Sequence, residues 1–327
     1  MKIVVLDGYT LSQEDLSWAE IEKLGRTTVY ERTPAHAVVG RCKGAQIVLA
    51  NKTPIRENDF DALPDLEFVG VTATGYDIVD ITAAEKRGIP VSNVPEYGTD
   101  SVGQFVFALL MELCHHVAAH DEAVKAGEWA VSPDWCFWKS PQWLLRDRKM
   151  GIVGFGRIGR RVGELAHAFG MEVLAHDPHG QIMGSPSYEP FQWASLEALF
   201  AEADVVTLHC PQTKDNVRFV NQGLIGSMKK RAFFINTARG GLVEEQDLAD
   251  ALNDGRIAGA ALDVLSKEPV EPENPLLSAN NCLVTPHIAW STKAARQALM
   301  TATVENIKAF QSGHPIHVVN QACPASR

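Results

Sequence analysis

The sequence has no Cys-x-x-Cys pair. Its six cysteines, Cys42, Cys114, Cys136, Cys210, Cys282 and Cys323, are scattered, so neither a zinc ribbon nor a disulfide scaffold is indicated and reduced thiols are expected. Positive charge is in deficit: 30 Lys and Arg against 40 Asp and Glu give a formal charge of -10, which argues against a phosphate-neutralising surface and against nucleic acid as a partner. Long apolar runs are missing as well. The longest, Phe105 to Met111, stops at Glu112, far short of the roughly 18 residues of a membrane helix, so no membrane association is expected. The stretch before Asp7 is too short for a signal-peptide core, and the terminal Pro-Ala-Ser-Arg is not a Ser-Lys-Leu signal, which makes a cytoplasmic location the expectation. No internal repeat or low-complexity segment is found.

What is present is an ordinary globular balance. The chain has 327 residues, 46% hydrophobic and 21% charged, and at roughly 150 residues per domain two domains are expected. Short β-branched runs alternate with helix-length amphipathic stretches, the rhythm of α/β proteins with parallel sheets. Strands are predicted at Lys2–Leu6, Thr27–Tyr30, Gln46–Ala50, Phe68–Thr72 and Val91–Val94, a flavodoxin-like series. A second series, Met150–Val153, Glu172–His176, Val205–His209, Phe233–Asn236, Gly259–Asp263 and Cys282–Thr285, has the six strands of a doubly wound Rossmann fold. Two such sheets imply a cleft between them. Val102, Phe105, Val106, Leu109, Leu110 and Leu113 recur at helical spacing, so Ser101–His120 reads as one buried helix and a hinge. A second periodic segment, Ala294–Phe310, leads to a strand-like run at His317–Val319 that returns the chain to the first domain. The expected boundaries are 1–98 with 290–327, and 99–289.

Gly154-Phe155-Gly156-Arg157-Ile158-Gly159 fits G-x-G-x-x-G, a weak pattern by itself. Its context strengthens it, because an apolar strand precedes it and Ile158, Val162, Leu165, Ala166 and Phe169 follow on one helical face before Gly170. Gly154 would permit the tight turn, Gly156 would let backbone N–H groups approach a pyrophosphate, and Gly159 would let helix and strand pack closely. Asp177, 18 residues beyond Gly159 at a strand end, is placed to accept from adenosine ribose hydroxyls. That favours NAD: a 2′-phosphate about 4 Å from the carboxylate would be repelled by about 4 kcal/mol at an effective dielectric near 20. Neither Pro178 nor His179 is an arginine that could offset it. The bland alternative is a glycine turn and a strand-end acid in some other α/β protein.

Hydride transfer to a 2-oxo acid needs a cation to hold and polarise the substrate, an acid to protonate the nascent alkoxide, and a partner that keeps this acid charged. Arg239 follows the strand Phe233–Asn236, and its fork suits a carboxylate. Glu268 lies in a loop broken by Pro269, and His287 follows the strand Cys282–Thr285. Singly, these read as a surface ion pair, a solvated loop acid and a turn histidine. Together they follow the carboxyl ends of three consecutive strands, where ligands bind in open α/β sheets. A carboxylate beside an imidazole favours the charged ring, so Glu268 would keep an acid ready.

The glycine motif, Asn-Thr-Ala-Arg-Gly-Gly at 236–241, Leu-Asp-Val at 262–264 followed by Glu268-Pro269, and Pro-His-Ile-Ala-Trp at 286–290 resemble the D-isomer-specific 2-hydroxyacid dehydrogenase family. Ala-Thr-Gly-Tyr-Asp at 73–77 and the Ala-Trp after His287 look most like its glycerate dehydrogenase, or hydroxypyruvate reductase, branch. The match runs from about Phe68 to Val319, whereas residues 1–66 match only in strand rhythm. The resemblance implies that His287 is the proton donor and acceptor, Glu268 its partner and Arg239 the substrate anchor. It implies that Arg157, Ile158, Asp177, Thr237, Ala238 and Asp263 line the NAD site and that Ser101 and Val102 touch the cofactor, although the helix there also needs a cap. Backbone N–H groups at Ala73, Thr74 and Gly75 would hold the substrate carboxylate, and a strand-to-helix turn capped by Asp77 is compatible with that role.

Four of the seven tryptophans, Trp129, Trp135, Trp138 and Trp143, fall in one Pro-interrupted stretch with Phe137, as core packing or as an interface or lid. The resemblance implies a homodimer in which this segment crosses to the neighbouring subunit and Trp138 helps wall off a substrate pocket. His115 and His116 read as helix-end residues, not metal ligands, and no metal is expected. Lys229-Lys230-Arg231 reads as a solvated turn and Lys52 as a surface lysine. The expected activity is NADH-dependent reduction of hydroxypyruvate, glyoxylate and similar small 2-oxo acids. The alternatives are a formate- or phosphite-type dehydrogenase on the same scaffold, and a non-catalytic NAD-sensing scaffold of the corepressor kind. The Ala-Trp after His287 argues against the first, and the short stretch after Val319 against the second. No chain remains there for the regulatory domain of a long phosphoglycerate dehydrogenase.

Overall fold

The computed structural model describes residues 1–321, so Cys323 lies outside the described residues. The chain divides into two compact units, one comprising Met1–Gly98 and the chain from Ser291 onward, the other Thr99–Trp290.

The first unit is built on five parallel strands, β1 (Lys2–Val5), β2 (Arg26–Val29), β3 (Ile47–Ala50), β4 (Phe68–Val71) and β5 (Val91–Ser92), in the order β2-β1-β3-β4-β5. This is the flavodoxin-like order, with its switch point between β1 and β3. The central strands are apolar throughout because both faces are covered. Val4, Val48 and Val69 join one core with Phe60 and Ala83, whereas Ile3, Val5, Ile47 and Leu49 join the other with Val304 and Ile307 of the helix Lys293–Gln311. Phe68 stacks on Phe310 of that helix with ring centroids 4.7 Å apart. The run His317–Val319, expected as a strand, makes only an isolated antiparallel bridge between Val318 and Ser92. His317 is left-handed (φ 54°), and the Asn320 side chain takes the Val91 N–H at 3.0 Å, so no ladder propagates.

The second unit has seven parallel strands, β6 (Lys149–Val153), β7 (Glu172–His176), β8 (Phe191–Trp193), β9 (Val205–Leu208), β10 (Phe233–Asn236), β11 (Gly259–Leu262) and β12 (Cys282–Val284). Their order, β12-β11-β10-β9-β6-β7-β8, is doubly wound with the switch point between β6 and β9. The sequence pattern predicted six strands and missed β8. Its three residues alternate aromatic, polar, aromatic, and Phe191 and Trp193 both pack on Phe155.

The helix expected over Ser101–His120 is two helices, Thr99–His115 and Val117–Lys125, bent by 54°. The break is at His116, which is left-handed (φ 46°). Val106, Leu109, Leu110 and Leu113 of the first helix are buried in the core with Val162 and Ala166 of the helix Arg157–Ala168. No single helix among the described residues is long and apolar enough to cross a membrane; the bent pair passes that test only by length and composition. Among the described residues Cys42, Cys114, Cys136, Cys210 and Cys282 are all free thiols. Burial pushes the Cys42 and Cys114 thiols up to about 12 and about 11, which keeps both inert near neutrality.

Candidate active site

In the second unit the expected residues gather at the carboxyl ends of β6, β7, β10, β11 and β12. After β6, Gly154 takes φ 91° and lies against the backbone of His209 and Cys210, leaving no space for a side chain. A Cβ on Gly159 would collide with the Gly154 carbonyl, so this glycine serves close helix–strand packing. Gly156 differs, since a Cβ there would meet nothing in the chain. Gly156 caps the helix Arg157–Ala168 and leaves the space at that N-terminus open. Arg157 is exposed on the first turn of that helix, while Ile158 packs partly into the core. At the end of β7, the Asp177 carboxylate accepts the Phe155 N–H and the His179 N–H, each at 2.9 Å. Each oxygen retains acceptor capacity, and the two bonds fix the carboxylate beside the glycine turn.

After β10, the buried side chain of Asn236 clamps the turn that carries the arginine. Its Oδ1 accepts the Ala238 N–H at 3.0 Å and its Nδ2 donates to the Arg239 carbonyl at 2.9 Å. Arg239 is half-buried, with Nη1 donating to the Ala238 carbonyl at 2.8 Å. Gly240 lies against the Leu265–Ser266 backbone, which brings this turn beside the loop bearing Glu268. The Thr237 hydroxyl oxygen is buried and has no hydrogen-bond partner among the described residues. An orphaned hydroxyl of this kind calls for an external partner.

Asp263 organises the next two strands. Its carboxylate is 1% exposed and accepts from Thr285 Oγ1 (2.7 Å), Ile288 N (2.9 Å) and Ala289 N (2.8 Å), while its carbonyl accepts from His287 N (2.8 Å). Burial pushes its carboxyl above the usual range, and these donors work in the opposite direction. The bonds fold the loop after β12 back over β11 and hold His287 in a left-handed conformation (φ 55°), which is uncommon for a residue with a Cβ. In that position His287 Nδ1 lies 2.6 Å from Glu268 Oε2, and Leu265 N donates to the other Glu268 oxygen at 3.3 Å. A carboxylate only accepts, so Nδ1 carries the proton and Nε2 lies on the opposite side of the ring. Trp290 Nε1 donates to the His287 carbonyl at 2.9 Å.

The Ser101 hydroxyl is not a helix cap, because Oγ donates to the Ala289 carbonyl at 2.7 Å. Its role is to anchor the His287 loop, and its neighbour Val102 is buried beside it on the helix Thr99–His115. Trp138 is set apart from these residues within one chain. It is 68% exposed and lines a hollow with His115, Val117, His120, Phe137 and Gln142. At 1.5 Å per residue, that end of the helix is about 20 Å from Ser101. Ala73, Thr74 and Gly75 belong to the first unit, after β4. Sequence reasoning missed Asn236, Thr285 and the anchoring role of Ser101, whose only signal is a small polar residue beside a strand or helix end. Among the described residues no three His, Cys, Asp or Glu side chains group to hold a metal.

Known proteins resemble this chain over most of its length. The sequence model of the D-isomer specific 2-hydroxyacid dehydrogenase NAD binding domain matches residues 107–289. A hydroxypyruvate reductase of Blautia hydrogenotrophica is 47% identical over 98% of this chain and 100% of its own, and a glycerate dehydrogenase of Methylorubrum extorquens is 37% identical over 97% and 98%. The structure of an NADPH-dependent glyoxylate/hydroxypyruvate reductase from Sinorhizobium meliloti, in complex with NADP and malonate, superposes with a TM-score of 0.82 at 28% identity, covering 100% of this chain and 98% of that one.

The hub predicts its own test. Asp263→Ala would strand three donors, the Ala289 N–H buried and the other two half-buried, at about 1 kcal/mol or more each, and should lower the melting temperature by about 5 °C or more in calorimetry. A melting temperature within about 1 °C of wild type would contradict the role given to this carboxylate. With Arg239, Glu268 and His287 following the three successive strands β10, β11 and β12, and with relatives that match nearly end to end, the chain belongs to the D-isomer specific 2-hydroxyacid dehydrogenase family.

Proposed function

We propose that the protein reduces small 2-oxo acids, hydroxypyruvate and glyoxylate first, to D-2-hydroxy acids with NADH. The observation that carries this reading is the 2.6 Å contact between His287 Nδ1 and Glu268, on the same sheet edge as Arg239. Bound nicotinamide would supply the hydride for the carbonyl carbon. The chain's own part is the proton: Nε2 of His287 gives it to the carbonyl oxygen, and takes it back in the oxidative direction. Glu268 holds Nδ1 and offsets the charge of the imidazolium. Arg239 holds the substrate and polarises its carbonyl, where negative charge develops during reduction. The Ala73–Gly75 turn is the proposed carboxylate-binding element.

The cofactor contacts we propose are the N-terminus of the helix Arg157–Ala168 with Gly154, Gly156 and Gly159 for the pyrophosphate, and Asp177 for the adenosine ribose. Thr237, Ala238 and Asp263 stand toward the nicotinamide. Support comes from the open side of Gly156 and the unpartnered Thr237 hydroxyl. The Asp177 carboxylate, fixed by two backbone N–H groups, favours NADH over NADPH. Trp129, Trp135 and Trp138 are 51%, 87% and 68% exposed. Such a surface suits pairing with a second copy of the chain, through which Trp138 would reach a site other than its own.

Wild-type protein should oxidise NADH in the presence of hydroxypyruvate or glyoxylate; no turnover with either would refute the assignment. Glu268→Gln keeps the side chain's size but loses the carboxylate that holds Nδ1, and should lower kcat/KM for reduction by about tenfold or more; unaltered kinetics would count against the pairing. Arg239→Lys keeps the charge but loses the fork, and should lower kcat/KM by at least about tenfold through both a higher KM and a lower kcat. Unaltered kinetics would remove Arg239 from the site. Asp177→Ala should narrow the preference for NADH over NADPH by about tenfold or more, read as the ratio of kcat/KM values, and an unchanged ratio would contradict its role.

A further inference from the structure

Three successive peptide groups after β4 have their carbonyls secured by neighbouring segments of the first unit. Asn51 Nδ2 donates to the Thr72 carbonyl at 2.6 Å, the Val94 N–H to the Ala73 carbonyl at 3.0 Å, and Asn93 Nδ2 to the Thr74 carbonyl at 2.7 Å. The other halves of these peptide groups are the N–H groups of Ala73, Thr74 and Gly75. None of the three has an acceptor among the described residues. These peptides are trans, so each N–H points away from whatever holds its carbonyl. The Thr74 and Gly75 N–H groups are therefore both directed away from the Asn93–Val94 segment, a pair suited to the two oxygens of one carboxylate. A donor on a peptide carbonyl also polarises that peptide and strengthens its N–H.

The two asparagines are themselves held. Asn51 N donates to Asp7 Oδ1 at 2.8 Å, and Asp7 Oδ2 accepts Lys52 N and Thr53 N at 2.6 and 2.7 Å, so a carboxylate after β1 fixes the loop after β3 at the switch point. The Asn93 carbonyl accepts Asn306 Nδ2 at 2.9 Å, and Asn93 N donates to the His317 carbonyl at 3.1 Å. Asn51, Asn93 and Asn306 are all buried. An amide buried at this depth is costly unless bonded, and Asn51 and Asn93 direct their donors to the carbonyls of this one turn.

We propose that Asn51 and Asn93 are positioning residues for the substrate carboxylate: by holding the Thr72 and Thr74 carbonyls they aim and strengthen the N–H groups of Ala73 and Gly75. This rests on the reading of the Ala73–Gly75 turn as the carboxylate-binding element. It also extends that reading to two side chains that never touch substrate.

The test uses the full-length protein, NADH, hydroxypyruvate, and oxamate as a carboxylate that is not turned over. In Asn51→Ala and Asn93→Ala, KM for hydroxypyruvate and Ki for oxamate should rise together by about tenfold, with kcat within about threefold and the dissociation constant of NADH unchanged. Variants that bind NADH normally yet keep KM and Ki within about twofold, or that lose only kcat, overturn the proposal. Amide NMR of the wild type with NADH and oxamate separates the two levels. Oxamate that leaves Ala73, Thr74 and Gly75 unmoved defeats the carboxylate reading itself, whereas resonances that move while the variants keep their KM defeat only the positioning role. Should neither variant fold, the Asn51 and Asn93 side-chain NH₂ resonances decide: they must shift with those of the turn, and fixed positions overturn the proposal.

Discussion

A carboxylate removed from water must recover its lost hydration in hydrogen bonds, and in this protein Asp263 does so almost entirely from one loop. Thr285, Ile288 and Ala289 all donate to it, and its own carbonyl takes the His287 N–H. Satisfying that one buried charge therefore dictates the path of the chain after β12. The left-handed conformation at His287 follows from this path, as does the contact of its Nδ1 with Glu268. Ser101 adds a bond to the Ala289 carbonyl from the helix Thr99–His115. The pair proposed to move protons thus depends on a residue that takes no part in the transfer.

The first unit uses the same device, with two amides beside one carboxylate. Asp7, Asn51 and Asn93 follow parallel strands or adjoin their ends, and each directs its side chain to the backbone of a neighbouring loop. Asn236 does likewise for the turn bearing Arg239 in the second unit. Parallel sheets leave their strand ends unpaired and set their loops side by side. Short polar side chains at those ends can satisfy the loose carbonyls and N–H groups while fixing loop geometry. Rigidity of this origin suits a site that must hold a small, doubly polar substrate, since orientation contributes much of what an enzyme supplies.

Much of this was legible in the sequence because it rests on period and spacing. The buried strands read as apolar runs, the glycine motif sits between a strand and an amphipathic helix, and Arg239, Glu268 and His287 each follow a strand. Features without a period stayed hidden. β8 is three residues long and shows only as alternating aromatics, and the break at His116 carries neither glycine nor proline to announce it. His317–Val319 has strand composition but makes a single bridge, because Asn320 takes the N–H that a ladder would use. Ser101 read in part as a helix cap, yet its hydroxyl donates to a loop 188 positions away in sequence. Bonds from side chain to backbone across such separations leave no mark on local composition.

The central claim is that the loop after β12 presents Nδ1 of His287 to Glu268 and directs Nε2 away from it. The most direct measurement is the ¹⁵N spectrum of the His287 imidazole in protein labelled at histidine, recorded across neutral and alkaline pH. The account predicts that Nδ1 carries a proton, seen as a low-field signal that vanishes in Glu268→Gln. An Nε2–H tautomer with an unprotonated Nδ1 would contradict it.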